Sequence, residues 1–145
     1  MKIISQVLKN STKIKVVDRD NRSEQEIDEL NSRGIRVLNR RHLESYLLDD
    51  EIIEKLCRIQ SKEDKIDDCL AAKKKAMEES VGRGNSVDDI KSASGKIYTE
   101  LRRILALTNC GNKKDSFLRD TMAPLVTEET QVYKDLTMEI FGGII

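Results

Sequence analysis

Tryptophan is absent from this 145-residue chain, and its other large rings are Tyr46, Tyr98, Tyr133, Phe117 and Phe141. A core must therefore be assembled from Leu, Ile, Val, Ala and Met side chains rather than from aromatic stacks. Pro124 is the single proline, so the strongest helix breaker is almost missing. Together with 36% charged residues, this favours helices that carry one solvated face. His42 is the one histidine, and no nucleophile-elbow pattern accompanies it, so a Ser/His/Asp triad has no support. Cys57, Cys69 and Cys110 are widely spaced, without a C-x-x-C or a Cys/His zinc pattern. They are expected as buried thiols in a reducing cytoplasm, not as a disulfide framework. Nothing approaches the ~20 apolar residues of a transmembrane helix, and residues 1–13 are too short and too polar for a secretory signal. The expectation is a cytoplasmic protein with no membrane partner.

Net charge is zero, but it is unevenly spread. Residues 1–42 hold ten Lys/Arg against six Asp/Glu, and the rest of the chain is acidic by the same margin. The basic part contains Arg19, Arg22, Arg33, Arg36, Arg40 and Arg41. A basic region around an acidic pair is compatible with phosphate binding; the alternative is a solvated surface.

Residues 1–8 read as a short helix or strand, followed by a turn at Asn10 and Ser11. The β-branched run over residues 13–18 predicts a strand that ends on Asp18 and Asp20. Ser23 and Glu26 form an S-x-x-E capping box at the start of a helix, and Gly34 is placed to end it. Residues 35–38 predict a second strand. Strand, one-helix crossover and strand make a right-handed parallel βαβ unit. Beyond Arg41 the apolar spacing becomes helical. One helix carries Ile52, Ile53, Leu56 and Ile59. A second, capped by Ser61 with Asp64, places Ile66, Cys69, Leu70 and Met77 on one face. Residues 81–85 are the clearest break. A long helix over residues 87–109, capped by Ser86 with Asp89 and ended by Cys110, Gly111 and Asn112, carries Ile90, Ile97, Leu101, Ile104 and Leu105. A short apolar helix stops near Pro124. A last helix, capped by Thr127 and ended by Gly142 and Gly143, carries Val132, Leu136 and Ile140. The expected fold class is α/β: a partial parallel βαβ sheet over residues 1–48, then a mainly α-helical extension over residues 49–145.

Asp18 and Asp20 are the sharpest chemical feature. Two carboxylates two residues apart, just past a parallel strand, lie at the sheet edge where ligands bind in α/β folds. They repel each other unless a cation neutralises them, and their hard oxygens suit Mg²⁺ or Mn²⁺. The bland alternative is that both open a turn and face water. Glu44 follows the second strand and should fall at the same edge, within or just outside a metal shell; alternatively it is a helix N-terminal glutamate favoured by the dipole. His42 fits packing or surface roles better than phosphate contact. The run Val81-Gly82-Arg83-Gly84-Asn85 lacks the GxxxxGK[ST] pattern and reads as a helix–helix turn. Lys73, Lys74 and Lys75 read as a solvated face.

The run Ile14-Lys15-Val16-Val17-Asp18-Arg19-Asp20 is followed by Ser23-Glu24, by Gly34-Ile35-Arg36-Val37-Leu38 and by Glu44-Ser45-Tyr46-Leu47-Leu48. This succession resembles the Toprim-like domain attached to, or encoded with, ABC-type ATPases: the overcoming-lysogenization-defect nucleases and their anti-phage relatives. In that branch a hydrophobic-DRD strand precedes a Glu-Asn-Tyr-Leu-like motif; here Ser45 replaces the Asn. The segment from Asp115 to Leu125, with Val132-Tyr133-Lys134-Asp135-Leu136 and Ile140-Phe141-Gly142, is also similar to the end of such proteins. The resemblance implies a metal-dependent nuclease of a DNA-directed, ATPase-linked system. Asp18 and Asp20 match the metal-binding pair, and Glu44 matches the motif glutamate as a catalytic candidate. Mg²⁺ or Mn²⁺ is the implied cofactor, and DNA and an ABC-type ATPase are the implied partners; self-association is expected because an open sheet edge invites pairing. The family also has a glutamate on an earlier strand, whereas this chain has no carboxylate side chain before Asp18. The expectation is a partial domain, the end of a longer protein or a remnant of one, inactive alone. A non-catalytic helical interaction or regulatory module is the rival reading.

Overall fold

The computed structural model describes residues 15–108, 110 and 113–142. The β-branched run forms strand β1, Lys15–Val17; the element and turn expected over residues 1–11 lie outside the described residues. Ser23 caps helix α1, Glu24–Ser32, with both bonds of the capping box in place. Gly34, at φ +78°, lets the chain leave the helix in a left-handed conformation that a Cβ would disfavour. Strand β2, Ile35–Val37, then lies parallel to β1, with Lys15 opposite Ile35 and Val17 opposite Val37. The βαβ unit is therefore realised, with three residues in each strand.

Six further α-helices follow: α2 (Glu44–Leu47), α3 (Asp50–Ile59), α4 (Ile66–Gly82), α5 (Ile90–Leu105), α6 (Lys114–Phe117) and α7 (Gln131–Phe141). Among the described residues the architecture is an α/β arrangement of seven α-helices and one small two-stranded parallel sheet. No helix among them is long and apolar enough to cross a membrane.

The core is aliphatic, as the composition requires. Helix α3 buries Ile52, Ile53, Leu56 and Cys57, while α5 buries Ile90, Ala93, Ile97, Leu101 and Leu105. Both series follow the three-and-four spacing of one helix face. The few rings are used as hubs. Tyr98 and Phe117 meet with centroids 5.1 Å apart, and Tyr46 is fully buried. Charged groups join elements distant in sequence. The Glu51 carboxylate accepts the N–H groups of Gln131 and Val132 at 2.9 and 3.0 Å, so a side chain of α3 satisfies the first turn of α7. Lys55 donates to the Leu125 carbonyl, the Thr127 hydroxyl and Glu129. Lys73, read as part of a solvated face, pairs with Asp50 at 2.8 Å.

Several helix ends differ from the sequence expectation. The expected Ser61 cap is not formed. Ser61 has φ +56° and closes α3 instead: its N–H donates to the Arg58 carbonyl and that of Lys62 to Cys57, the bonding of a Schellman motif. A 3-10 turn, Glu63–Lys65, then leads into α4. The long helix is shorter at both ends than residues 87–109. It starts after Asp89, whose carboxylate accepts the Ser92 N–H, while Ser86 supplies only a turn carbonyl. It stops at Ala106, where φ is +50° and the same pair of motif bonds forms, from Ala106 to Arg103 and from Leu107 to Arg102. Thr130, not Thr127, caps α7; Thr127 offers its carbonyl to the N–H and hydroxyl of Thr130. The expected break at residues 81–85 is present, with Gly84 at φ +97°.

Leu101 has no exposed surface. Leu101→Ala should destabilise the fold by about 2–5 kcal/mol, read as a lower urea midpoint at unchanged slope; an unchanged midpoint would place that face outside the core. Ala106 is an exposed residue in a left-handed conformation. Ala106→Gly should therefore raise stability by about 0.5–1 kcal/mol, because the strain at a Cβ outweighs the extra chain entropy of glycine, and the same titration reads it.

Candidate functional site

The two strands run in the same direction, so the segments that follow them emerge side by side. They are stitched together by main-chain and side-chain bonds. The Leu38 N–H donates to the Val17 carbonyl at 3.1 Å, extending the ladder, and the Asp20 N–H donates to the Arg41 carbonyl at 2.9 Å. Arg19 Nε donates to the Leu38 carbonyl at 3.0 Å, and Arg22 Nε to the Asp18 carbonyl at 3.1 Å.

Asp18 and Asp20 sit at this edge, as the strand reading expects. Asp18 Oδ1 accepts the N–H of Leu43 at 3.0 Å, the residue before α2. Asp20 is in a left-handed turn at φ +47°, a conformation that Asp tolerates better than most residues. Its Oδ1 lies 3.2 Å from His42 Nε2. Glu44, the first residue of α2, is half-buried, and its Oε2 is enclosed without a hydrogen-bond partner. The parallel pairing thus places Asp18 and Asp20 at one edge of the sheet, and the Asp18–Leu43 bond sets the start of α2, which carries Glu44, next to them.

His42 is buried, matching a packing role rather than a surface one. Its Nδ1 has no hydrogen-bond partner; Asp89 Oδ1 is 3.9 Å away. Arg41 pairs with Asp88 at 3.4 Å. Asp88 and Asp89, at the start of α5, therefore belong to the same neighbourhood, which the sequence reading missed. Their approach depends on how α5 packs, and the S-x-x-D pattern signalled a helix start and nothing more. Burial works against the Asp89 carboxylate. Its bonds from the Ser92 hydroxyl and N–H, with His42 and Arg41 nearby, outweigh that and hold its carboxyl below the usual range.

The arginine-rich composition has a largely structural outcome. Arg19 and Arg22 hold loop carbonyls. Arg40 donates to the Ser45 carbonyl and Asp49, and lies over the Tyr46 ring at 4.7 Å. Of the six basic residues singled out, only Arg33 and Arg36 lack a side-chain partner of this kind among the described residues.

Two facts bear on metal binding. Carboxylate oxygens are the hard donors that Mg²⁺ and Mn²⁺ prefer, and Mg²⁺ commonly takes one or two carboxylates and completes its shell with water. On the other hand, no group of three or more His, Cys, Asp or Glu side chains among the described residues is arranged to hold an ion. The donor chemistry of the Asp pair fits a water-completed ion, not a preformed protein cage. No family model, no curated protein and no solved structure matches the chain.

The Asp18–Leu43 bond makes a separable prediction. Asp18→Ala leaves the Leu43 N–H without its acceptor and should cost about 1–2 kcal/mol. Asp18→Asn keeps a carbonyl oxygen in place and should retain most of that stability. Equal urea midpoints for Asp18→Ala and the unaltered protein would remove the anchoring role.

Proposed function

We propose that this chain is a partial Toprim-like module that binds one Mg²⁺ or Mn²⁺ at the C-terminal edge of its parallel strands and acts on nucleic acid only with other components. The observation that carries this reading is the placement of Asp18 and Asp20 just past the first of two parallel strands, with the start of α2, and so Glu44, tied to them by the Asp18–Leu43 bond. Asp18 and Asp20 would hold the ion, and Glu44 would act beside it on a bound water or its outer shell. A divalent cation there would supply charge to polarise a phosphodiester and lower the pKa of a bound water. Leu43 and His42 orient the two aspartates through the bonds already described. The chain's own residues 1–17 offer no further side-chain carboxylate, so a general acid or base matching the family's upstream glutamate has to come from elsewhere. An ABC-type ATPase, covalently joined or separate, is the proposed partner, DNA the proposed substrate, and self-association through the sheet a further part of the reading.

A second reading is favoured by the bonds at the same edge. Asp18 already accepts from Leu43, and Asp20 already faces His42. Carboxylates engaged in this way suffice to fix the strand-to-helix connections of a non-catalytic interaction or regulatory module.

The two readings part on metal. In the first, Mn²⁺ broadens NMR signals around residues 18–20 and 44, and the broadening disappears in Asp18→Asn/Asp20→Asn, a variant that should remain folded. Equal broadening in that variant, or none in the unaltered protein, rejects the metal site and leaves the interaction module. The purified chain, incubated with plasmid and single-stranded DNA in Mg²⁺ or Mn²⁺, should cut neither substrate to a measurable extent. Robust cutting that vanishes in the double variant would show that the upstream glutamate is dispensable, with Glu44 the first replacement to examine.

A further inference from the structure

Two of the three cysteines approach each other far from the strand edge. Cys57, in the last turns of α3, and Cys69, in the first turn of α4, are both fully buried, and their sulfurs lie 3.7 Å apart. At that distance one thiol donates to the other. A disulfide needs about 2.0 Å between sulfurs, so the pair closes if each sulfur moves by less than about 1 Å, with the two helices already packed against each other. We propose that Cys57 and Cys69 are a redox-modification site at which a small-molecule disulfide oxidant, such as oxidised glutathione, closes a bond that staples α3 to α4.

In the first step one cysteine gives its proton to solvent and, as thiolate, attacks an oxidant sulfur; the oxidant S–S bond breaks and one glutathione leaves as thiolate and takes up a proton. In the second, the other cysteine attacks the resulting mixed disulfide, forms the Cys57–Cys69 bond and releases the second glutathione. Two S–H bonds and the oxidant's S–S bond are exchanged for one protein S–S bond and two glutathione thiols.

The setting governs the rate. Burial pushes both thiols up, Cys69 to about 12, where the hydrogen bond it shares with Cys57 adds to the effect. Few thiolates form in the closed state, so reaction goes through local opening. The corner between the helices is suited to opening. Residues 59–61, 63 and 64 are exposed, and the turn passes through Ser61, a non-glycine residue in a left-handed conformation. Once formed, the bond closes a short loop and removes freedom chiefly from the unfolded chain.

The experiment incubates the native full chain with oxidised glutathione, blocks remaining thiols with an alkylating agent and maps peptides without reduction. The expected result is a Cys57–Cys69 cross-link that dithiothreitol reverses, with Cys110 alkylated. The thermal midpoint of the oxidised protein should rise by about 5 °C or more, and the same treatment of Cys110→Ser should give the same cross-link. The proposal is overturned if Cys57 and Cys69 both remain alkylatable after prolonged oxidation, if either stops at a glutathione adduct, or if Cys110 is the partner found. The peptide map uses the unaltered protein, so it decides the matter even if substitutions at the buried cysteines fail to fold.

Discussion

The fold turns on the environment of the Tyr46 hydroxyl. Two strands of three residues cannot hold a sheet together through their ladder alone, so the segment leaving β2 has to be anchored from outside. Tyr46 provides that anchor. Its ring is buried beneath the Arg40 guanidinium, its hydroxyl accepts the Arg40 N–H at 3.0 Å, and it donates to Glu139 of α7. Glu139 also accepts the Asn39 N–H at 2.8 Å. Burial, with the Glu139 hydrogen bond, pushes the phenol far above its ordinary pKa, so the group remains a donor throughout the usual pH range. The position of α2, and with it Leu43, His42 and Glu44 at the strand edge, follows from this junction.

Much of the local structure was legible because each signal was local. The Ser23/Glu26 pair fixed the start of α1 by two bonds made within four residues, and Gly34 marked its end through a backbone conformation that glycine alone adopts freely. The parallel βαβ reading followed from the spacing. The missed helix ends have one physical cause. Ser61 and Ala106 occupy the left-handed position that glycine fills at Gly84, and neither residue type advertises it. The two misplaced caps have another. In both Ser86-to-Asp89 and Thr127-to-Thr130, two capping residues stand three apart, and the later one forms the cap while the earlier one opens a turn.

The candidate edge was legible in part. Asp18, Asp20 and the start of α2 lie at the same end of the sheet because parallel strands share an end, which is a topological consequence readable from the order of elements. The sequence could not show that Asp18 and Asp20 would each acquire a bond to the second connection, or that Asp88 and Asp89 would arrive from α5. Those contacts depend on helix packing. For the same reason composition left open whether the arginines face phosphate or simply water, whereas Arg19, Arg22, Arg40 and Arg41 reach carbonyls, rings and carboxylates of the chain itself.

Helix α7 is held by bonds of unusual reach. Glu139 joins residues 100 and 93 positions away, and the N-terminal turn of α7 is satisfied by Glu51, 80 and 81 positions away. Contacts across such intervals reward the chain only after a large loop has been closed. Docking of α7 is therefore expected on the late side of the folding barrier. Weakening it should leave the rate of folding nearly unchanged and appear instead as faster unfolding, so the lifetime of the native state is governed by the same carboxylates that hold α7 in place.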